Sequence, residues 1–219
     1  MSEVPTWALT QFGDDGVARV EASIAEAESH TSGEIVPILV RRSSTVGHVP
    51  MLSFTLLLLC VWLGDLPFRL DAWLGGPHWL SLGLAWLLAG GMAVVLSRFD
   101  AVQRALTPRL DQAQQVGMRA EVEFYEHGIG QTEGSTGILL FVSLMEHRAV
   151  VLADRAIAEK LGADVWQEVV DLLIEGVKRK DLADGMSTAI QRCGELLNPH
   201  FPISPDDANE LRDHLVIKE

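Results

Sequence analysis

Residues 50–66, PMLSFTLLLLCVWLGDL, and residues 78–96, HWLSLGLAWLLAGGMAVVL, are almost wholly apolar. Neither alternates polar with apolar positions at helical or strand spacing, so neither reads as one face of a surface element. A helix needs about 20 apolar residues to cross a bilayer core, and a run of about 18 or more is a candidate. The second run has that length; the first reaches it only if flanking residues snorkel or the helix stands nearly upright. The alternative is a buried hairpin inside a large soluble core. The connector Asp65–Pro77 carries charge, prolines and the turn Gly75-Gly76-Pro77, and Trp62, Trp73 and Trp79 stand where aromatic residues meet a membrane surface. The pair is therefore read as a transmembrane helical hairpin within residues 48–99, with a lipid bilayer as its first partner.

Arginines near the two runs set an orientation. Arg41 and Arg42 precede the first, and Arg98, Arg104 and Arg109 follow the second, whereas the connector holds Arg69 alone. Positive residues stay on the cytoplasmic side, so both chain ends are expected in the cytoplasm and the connector outside. Met1–Gly13 has neither a basic region nor an apolar core, so no leader peptide is expected.

The remaining sequence is acidic, with a formal net charge of −13 over 219 residues. Nucleic-acid binding is excluded on that balance, because phosphates demand Lys/Arg patches. Cys60 lies in an apolar run and Cys193 in a helical pattern, which is no disulfide framework.

Outside the hairpin, Asp14 or Asp15 is placed to cap a helix with Val17, Val20, Ile24 and Ala27 on its inner face, stopping at Thr31-Ser32-Gly33. Glu34–Arg41 reads as a buried strand in which Pro37 suggests an edge or a bulge. After the hairpin, Thr107-Pro108 opens a long amphipathic helix carrying Leu110, Ala113, Gly117, Ala120 and Phe124. Ile138–Leu144 and Arg148–Ala153, joined at Met145-Glu146-His147, read as an antiparallel hairpin. Asp164 with Gln167 suggests a capping box before a helix, Asp181 caps the next, and Asn209–Leu215 is expected to form a short turn. The fold class is α/β, a small central sheet covered by helices and interrupted by a two-helix transmembrane hairpin. Its parts are 14–47 and 100–202, split by 48–99, with 203–219 as a tail.

Several segments, in order, resemble the TPM domain, often called the TPM phosphatase domain. They are Ala27-Glu28…Thr31-Ser32-Gly33-Glu34-Ile35, Thr136–Leu144, Glu146-His147-Arg148, Val150-Val151-Leu152-Ala153-Asp154 and Lys180–Gly185. The resemblance implies a Rossmann-like sheet between helices. It also implies a group with few demonstrated activities, among them an acid phosphatase, a part in photosystem repair and an accessory role beside a receptor. Many members carry G-Y-G-x-E-G after the strand that ends at Asp154; here the stretch is Asp154-Arg155-Ala156-Ile157-Ala158-Glu159.

Asp154, at a strand end, is a candidate ligand for Mg²⁺ or Ca²⁺ together with Asp164 or Glu133, because such ions take carboxylate oxygens. The same positions are also explained as a turn residue and a helix cap. The seven histidines lack the spacing of a zinc site, and no P-loop or Gly-x-Ser-x-Gly elbow is present. Gly83, Ala85, Gly90 and Gly91 would let helices approach closely, either within the hairpin or between copies in a homo-oligomer. Two functions follow as expectations. One is a membrane-anchored binding or assembly module for a protein partner at the cytoplasmic face. The other is a divalent-metal-assisted phosphatase acting near the membrane.

Overall fold

The computed structural model describes residues 5–13, 15–75, 77–203 and 209–219. Asp14, one of the two cap candidates, and Gly76 of the expected turn lie outside them. The chain divides into two compact units: one of Met1–Ser43 with Ala113–Glu219, the other Ser44–Gln112.

The first unit is built on a four-stranded mixed sheet. Its strands are β1 (Glu34–Val40), β2 (Gly137–Ser143), β3 (Arg148–Ala153) and β4 (Val216–Lys218), in the order β3-β2-β1-β4. β1 runs parallel to β2, from Glu34↔Gly137 to Val40↔Ser143, and parallel to β4 over Ile38–Val40. β2 and β3 form the expected antiparallel hairpin. His147 in its turn takes a left-handed φ of 52°.

Pro37 does not mark an edge, since β1 has a neighbour on each side. The amide of Glu34 faces β2, donating to the Thr136 carbonyl, whereas the amide of Ile35 donates to the Glu28 side chain. Amides alternate along a strand, so Pro37 would point its missing N–H the same way as Ile35, away from β2. Pairing with β4 begins only at Ile38, and no ladder bond is lost.

Alternation also divides the core. Ile35 and Leu39, with Ile138, Leu140 and Val142, pack against helices α1 (Thr6–Phe12), α2 (Gly16–Glu28), α8 (Arg155–Lys160), α9 (Gln167–Arg179) and α10 (Leu182–Leu197). Val36, Ile38 and Val40, with Leu139 and Phe141, pack on the other face against Val116, Ala120 and Phe124 of the long helix Arg109–Glu126. The result is the α/β architecture expected, with helices on both faces. Asp15 occupies the cap position of α2, and Asp181 caps α10 by accepting from the Asp184 amide. Asp164 does not form the expected capping box. It lies in a short 3-10 turn, Ala163–Trp166, and Trp166 occupies the cap position of α9.

The second unit holds α3 (Val49–Leu63), α4 (Leu66–Leu74), α5 (His78–Leu96) and α6 (Asp100–Leu106), so the long helix Arg109–Glu126 is α7. α5 matches its predicted bounds and is long and apolar enough to cross a membrane. The other expected span is shorter and not straight: α3 and α4 meet that test only together, with a 60° bend between them. Gly64 ends α3, Asp65 takes a left-handed φ of 52°, and Pro67 in the first turn of α4 starts a new helix where a loop was expected. Small residues Ser81, Ala85, Ala89 and Ala93 form the buried face of α5, and the Phe54 and Trp86 rings meet edge to face at 6.0 Å. The expected glycine contact is slight: Gly90 alone faces Phe54, and open space surrounds Gly83 and Gly91.

Helices α9 and α10 cross at Gly176 and Gly185, where a methyl added to Gly185 would lie 2.6 Å from the Gly176 Cα. Gly185→Ala is expected to destabilise the unit by about 1–3 kcal/mol, as overpacking does. Gly117 of α7 has nothing within 4 Å of an added methyl. Gly117→Ala should instead stabilise by up to about 1 kcal/mol through helix propensity. Thermal unfolding of the two variants, moving in opposite directions, checks both.

Candidate functional site

The turn between α2 and β1 carries the most ordered polar contacts of the sheet edge. The Thr31 hydroxyl donates to the Phe201 carbonyl at 2.7 Å, and the Ser32 amide donates to the same carbonyl at 3.0 Å. The Thr136 hydroxyl donates to the Ser32 carbonyl at 2.8 Å. A methyl on Gly33 would lie 2.7 Å from the end of the Leu197 side chain, which would have to shift to admit it. Fixed in this way, the turn sets Glu28 at the end of α2 and Glu34 at the start of β1 around one pocket of about 220 Å³. Ser29, Thr31, Ile203, Asn209 and Asp213 also line it.

Three acidic groups converge there without a Lys or Arg among the lining residues. Glu28 Oε1 accepts from the Ile35 amide at 2.6 Å, while its Oε2 is buried without a donor. Burial, opposed by the Ile35 bond and assisted by Glu34 and Asp213, pushes the Glu28 carboxyl up to about 9. Glu28 therefore holds its proton at neutral pH, beside Asp213 in the same pocket. Glu34 is buried, and its two oxygens accept from the Glu210 and Leu211 amides, each at 3.2 Å. Burial also raises its pKa, against those two bonds.

The pocket is closed by residues 209–219, which run into β4. Asn209 hydrogen-bonds Asp213 at 2.5 Å, and Lys218 at the far end reaches Glu123 of α7 at 2.5 Å and Glu126 at 3.2 Å. Glu123 is fully buried and is also bound by Arg119 at 2.8 Å. Burial works against the Lys218 ammonium, but the two carboxylates outweigh it and hold its pKa above the ordinary lysine value.

The residues singled out from sequence lie elsewhere. Asp154 caps α8, its Oδ1 accepting from the Arg155 amide at 2.6 Å, and its Oδ2 is buried with no hydrogen-bond partner among the described residues. Glu133 is exposed, with its amide donating to the Glu210 carboxylate, and Asp164 is exposed on its 3-10 turn. Among the described residues no three His, Cys, Asp or Glu side chains gather closely enough to hold a metal ion. Sequence reading quoted Glu28 and Glu34 within a motif without giving them a role; two glutamates flanking a helix-stopping glycine were the available signal.

Residues 101–196 match the model of the TPM domain. The fold is similar to the BA42 protein from the psychrophilic bacterium Bizionia argentinensis, solved by NMR, with a TM-score of 0.60 at 16% identity over 99% of each chain. No curated protein matches the chain in sequence.

Between pH 4.5, the value of an ordinary glutamate, and about 9, the folded chain keeps a proton on Glu28 that the unfolded chain has lost. Stability therefore falls as pH rises through that window and levels off above it. Glu28→Gln places a permanent donor beside Asp213 and removes this loss. Thermal unfolding from pH 5 to pH 9 should show a flatter profile for the variant, with a gain of about 1–3 kcal/mol at the alkaline end, the scale of a buried unsatisfied polar group. The residual slope belongs to Glu34.

Proposed function

We propose that the chain is a membrane-tethered binding or assembly module, its apolar hairpin embedded in a bilayer and its α/β unit holding a protein partner at the cytoplasmic face. One observation carries the tether. Large apolar side chains of α3 and α5 point outward, Leu63 at 78% and Leu87 at 75% exposure, while the small residues of α5 form its buried face. Water penalises that arrangement by about 25 cal/mol for each Å² of apolar surface left exposed, and lipid does not. Small residues at the helix contact are what membrane helices use to approach closely. The arginines on the two flanks of the hairpin support the cytoplasmic placement.

The acidic pocket favours a module over a hydrolase. A phosphate ester is an anion, and a pocket lined by Glu28, Glu34 and Asp213 offers no lysine or arginine to neutralise it. Metal-assisted hydrolysis with Asp154 and Asp164 as ligands remains the second function under test; it draws on the TPM resemblance, and the carboxylates are not gathered for it. A net charge of −13 suits a partner with a basic surface.

Leu87→Arg tests the tether. In a bilayer, arginine at a helix centre costs about 2.5–3.5 kcal/mol, so the variant should lose retention in alkali-washed membranes. Unchanged retention, or a wild-type chain released by alkali, overturns the reading. For the chemistry, detergent-purified protein is offered a generic phosphomonoester with Mg²⁺ or Ca²⁺, beside Asp154→Asn, which keeps a good helix cap. No ion-dependent turnover is expected; turnover that disappears in the folded variant establishes the phosphatase instead.

A further inference from the structure

We infer that α4 is an interfacial helix, lodged in the lipid headgroup layer at the tip of the hairpin and pinned to α5 through Asp71. The inference rests on the hairpin being embedded in a bilayer, as proposed above.

The sequence LPFRLDAWL has one acidic group, and the fold turns it inward. One Asp71 oxygen is bound by His78 Nδ1 and the other accepts from the Ser81 hydroxyl, both in the first turn of α5. The Phe68 ring stacks on the His78 ring, centroids 5.1 Å apart and planes 28° from parallel. With its carboxylate satisfied from α5, α4 presents apolar groups to its surroundings. Phe68, Trp73 and the adjacent Trp79 are exposed, Trp73 at 82%, and they continue the exposed surface of Leu59, Leu63, Leu80 and Leu84. Arg69, also exposed, suits a lipid phosphate at the end of a flexible stem.

Length fixes the depth. At 1.5 Å per residue α5 is about 28 Å long and α3 about 22 Å, so α3 alone falls short of a hydrocarbon core of about 30 Å. α4 adds about 13 Å, and at 60° to α3 half of that, about 7 Å, lies along the direction of crossing. The bent arm then matches the straight one, which sets α4 at the boundary between acyl chains and headgroups. Interfacial helices bury their apolar faces to about that depth, 5–10 Å, and Trp residues concentrate there.

The test uses the full chain in phosphatidylcholine–phosphatidylglycerol vesicles whose acyl chains are brominated near the headgroup or near the chain end. Single-tryptophan variants keep either Trp73 or Trp86, the latter near the middle of α5. Shallow bromines should quench Trp73 about two-fold more than deep ones, with the reverse for Trp86, as an interfacial depth requires. Adding Asp71→Ala to the Trp73 variant should increase quenching of Trp73 by aqueous iodide by a similar factor and leave Trp86 unchanged. If Trp86 is quenched by deep bromines while Trp73 responds only to iodide, α4 stands in water and the inference fails alone. Deep quenching of both makes α4 part of a broken span, which also overturns it. An unchanged Trp73 in Asp71→Ala removes the pin. No bromine quenching of Trp86 defeats the embedded hairpin itself. Should the single-tryptophan chains misfold, Trp73→Phe and Trp86→Phe in the otherwise native protein read the same contrast as lost shallow and lost deep quenching.

Discussion

The first unit depends on the parallel pairing of Glu34–Val40 with Gly137–Ser143, seven residues on each strand, all buried. These strands are far apart in sequence, and no local turn can set their register. Register instead follows from burial on both faces, because a slip by one residue would move Ile35 and Leu39 to the face of α7 and reverse both cores. A long excursion between two paired strands is tolerated because loop-closure entropy grows only with the logarithm of loop length. The apolar hairpin occupies that excursion in the chain, and all four strands come from the other unit.

Continuous apolar runs made β1 and β2 legible, since a strand buried on both faces shows no alternation to be confused by polar residues, and the half-buried β3 was legible as the partner of β2 across a short turn. The cap at Asp181 was legible for a similarly local reason: a short acceptor before a helical pattern satisfies its first amides. The misses needed distant partners. Val216–Lys218 is too short to read as a strand and becomes one only beside Ile38–Val40. The connector Asp65–Pro77 reads as a loop, but Pro67 in a first helical turn starts a helix, and Asp71 finds partners in α5 that hold α4 in place. In the acidic pocket, Glu28 and Glu34 were visible as motif residues. Asp213, which gives their proximity its chemical consequence, arrives from the far end of the chain.

The C-terminal segment is held by two buried carboxylate sites with opposite charge logic. At Lys218 the carboxylates of Glu123 and Glu126 meet the Arg119 guanidinium and a lysine ammonium, so charge is balanced and the ammonium is retained. Beside Asp213, burial holds the Glu28 carboxyl in its protonated form. The Lys218 ammonium persists over the neutral range, because its pKa is raised from an already high value. Alkaline conditions therefore act on the Glu28 end of the segment first.

Hydropathy alone does not distinguish the two uses this chain makes of apolar residues. β1 and α5 are comparably apolar in sequence, yet β1 is buried along its whole length, whereas α5 buries its serine and alanines and exposes its leucines and tryptophans. A soluble core inverts that order, because the largest apolar side chains gain most by leaving water. Where lipid replaces water the gain disappears, and close approach of backbones through small side chains decides which face turns inward. The Asp71 carboxylate is likewise satisfied by its own chain, from His78 and Ser81 in the first turn of α5.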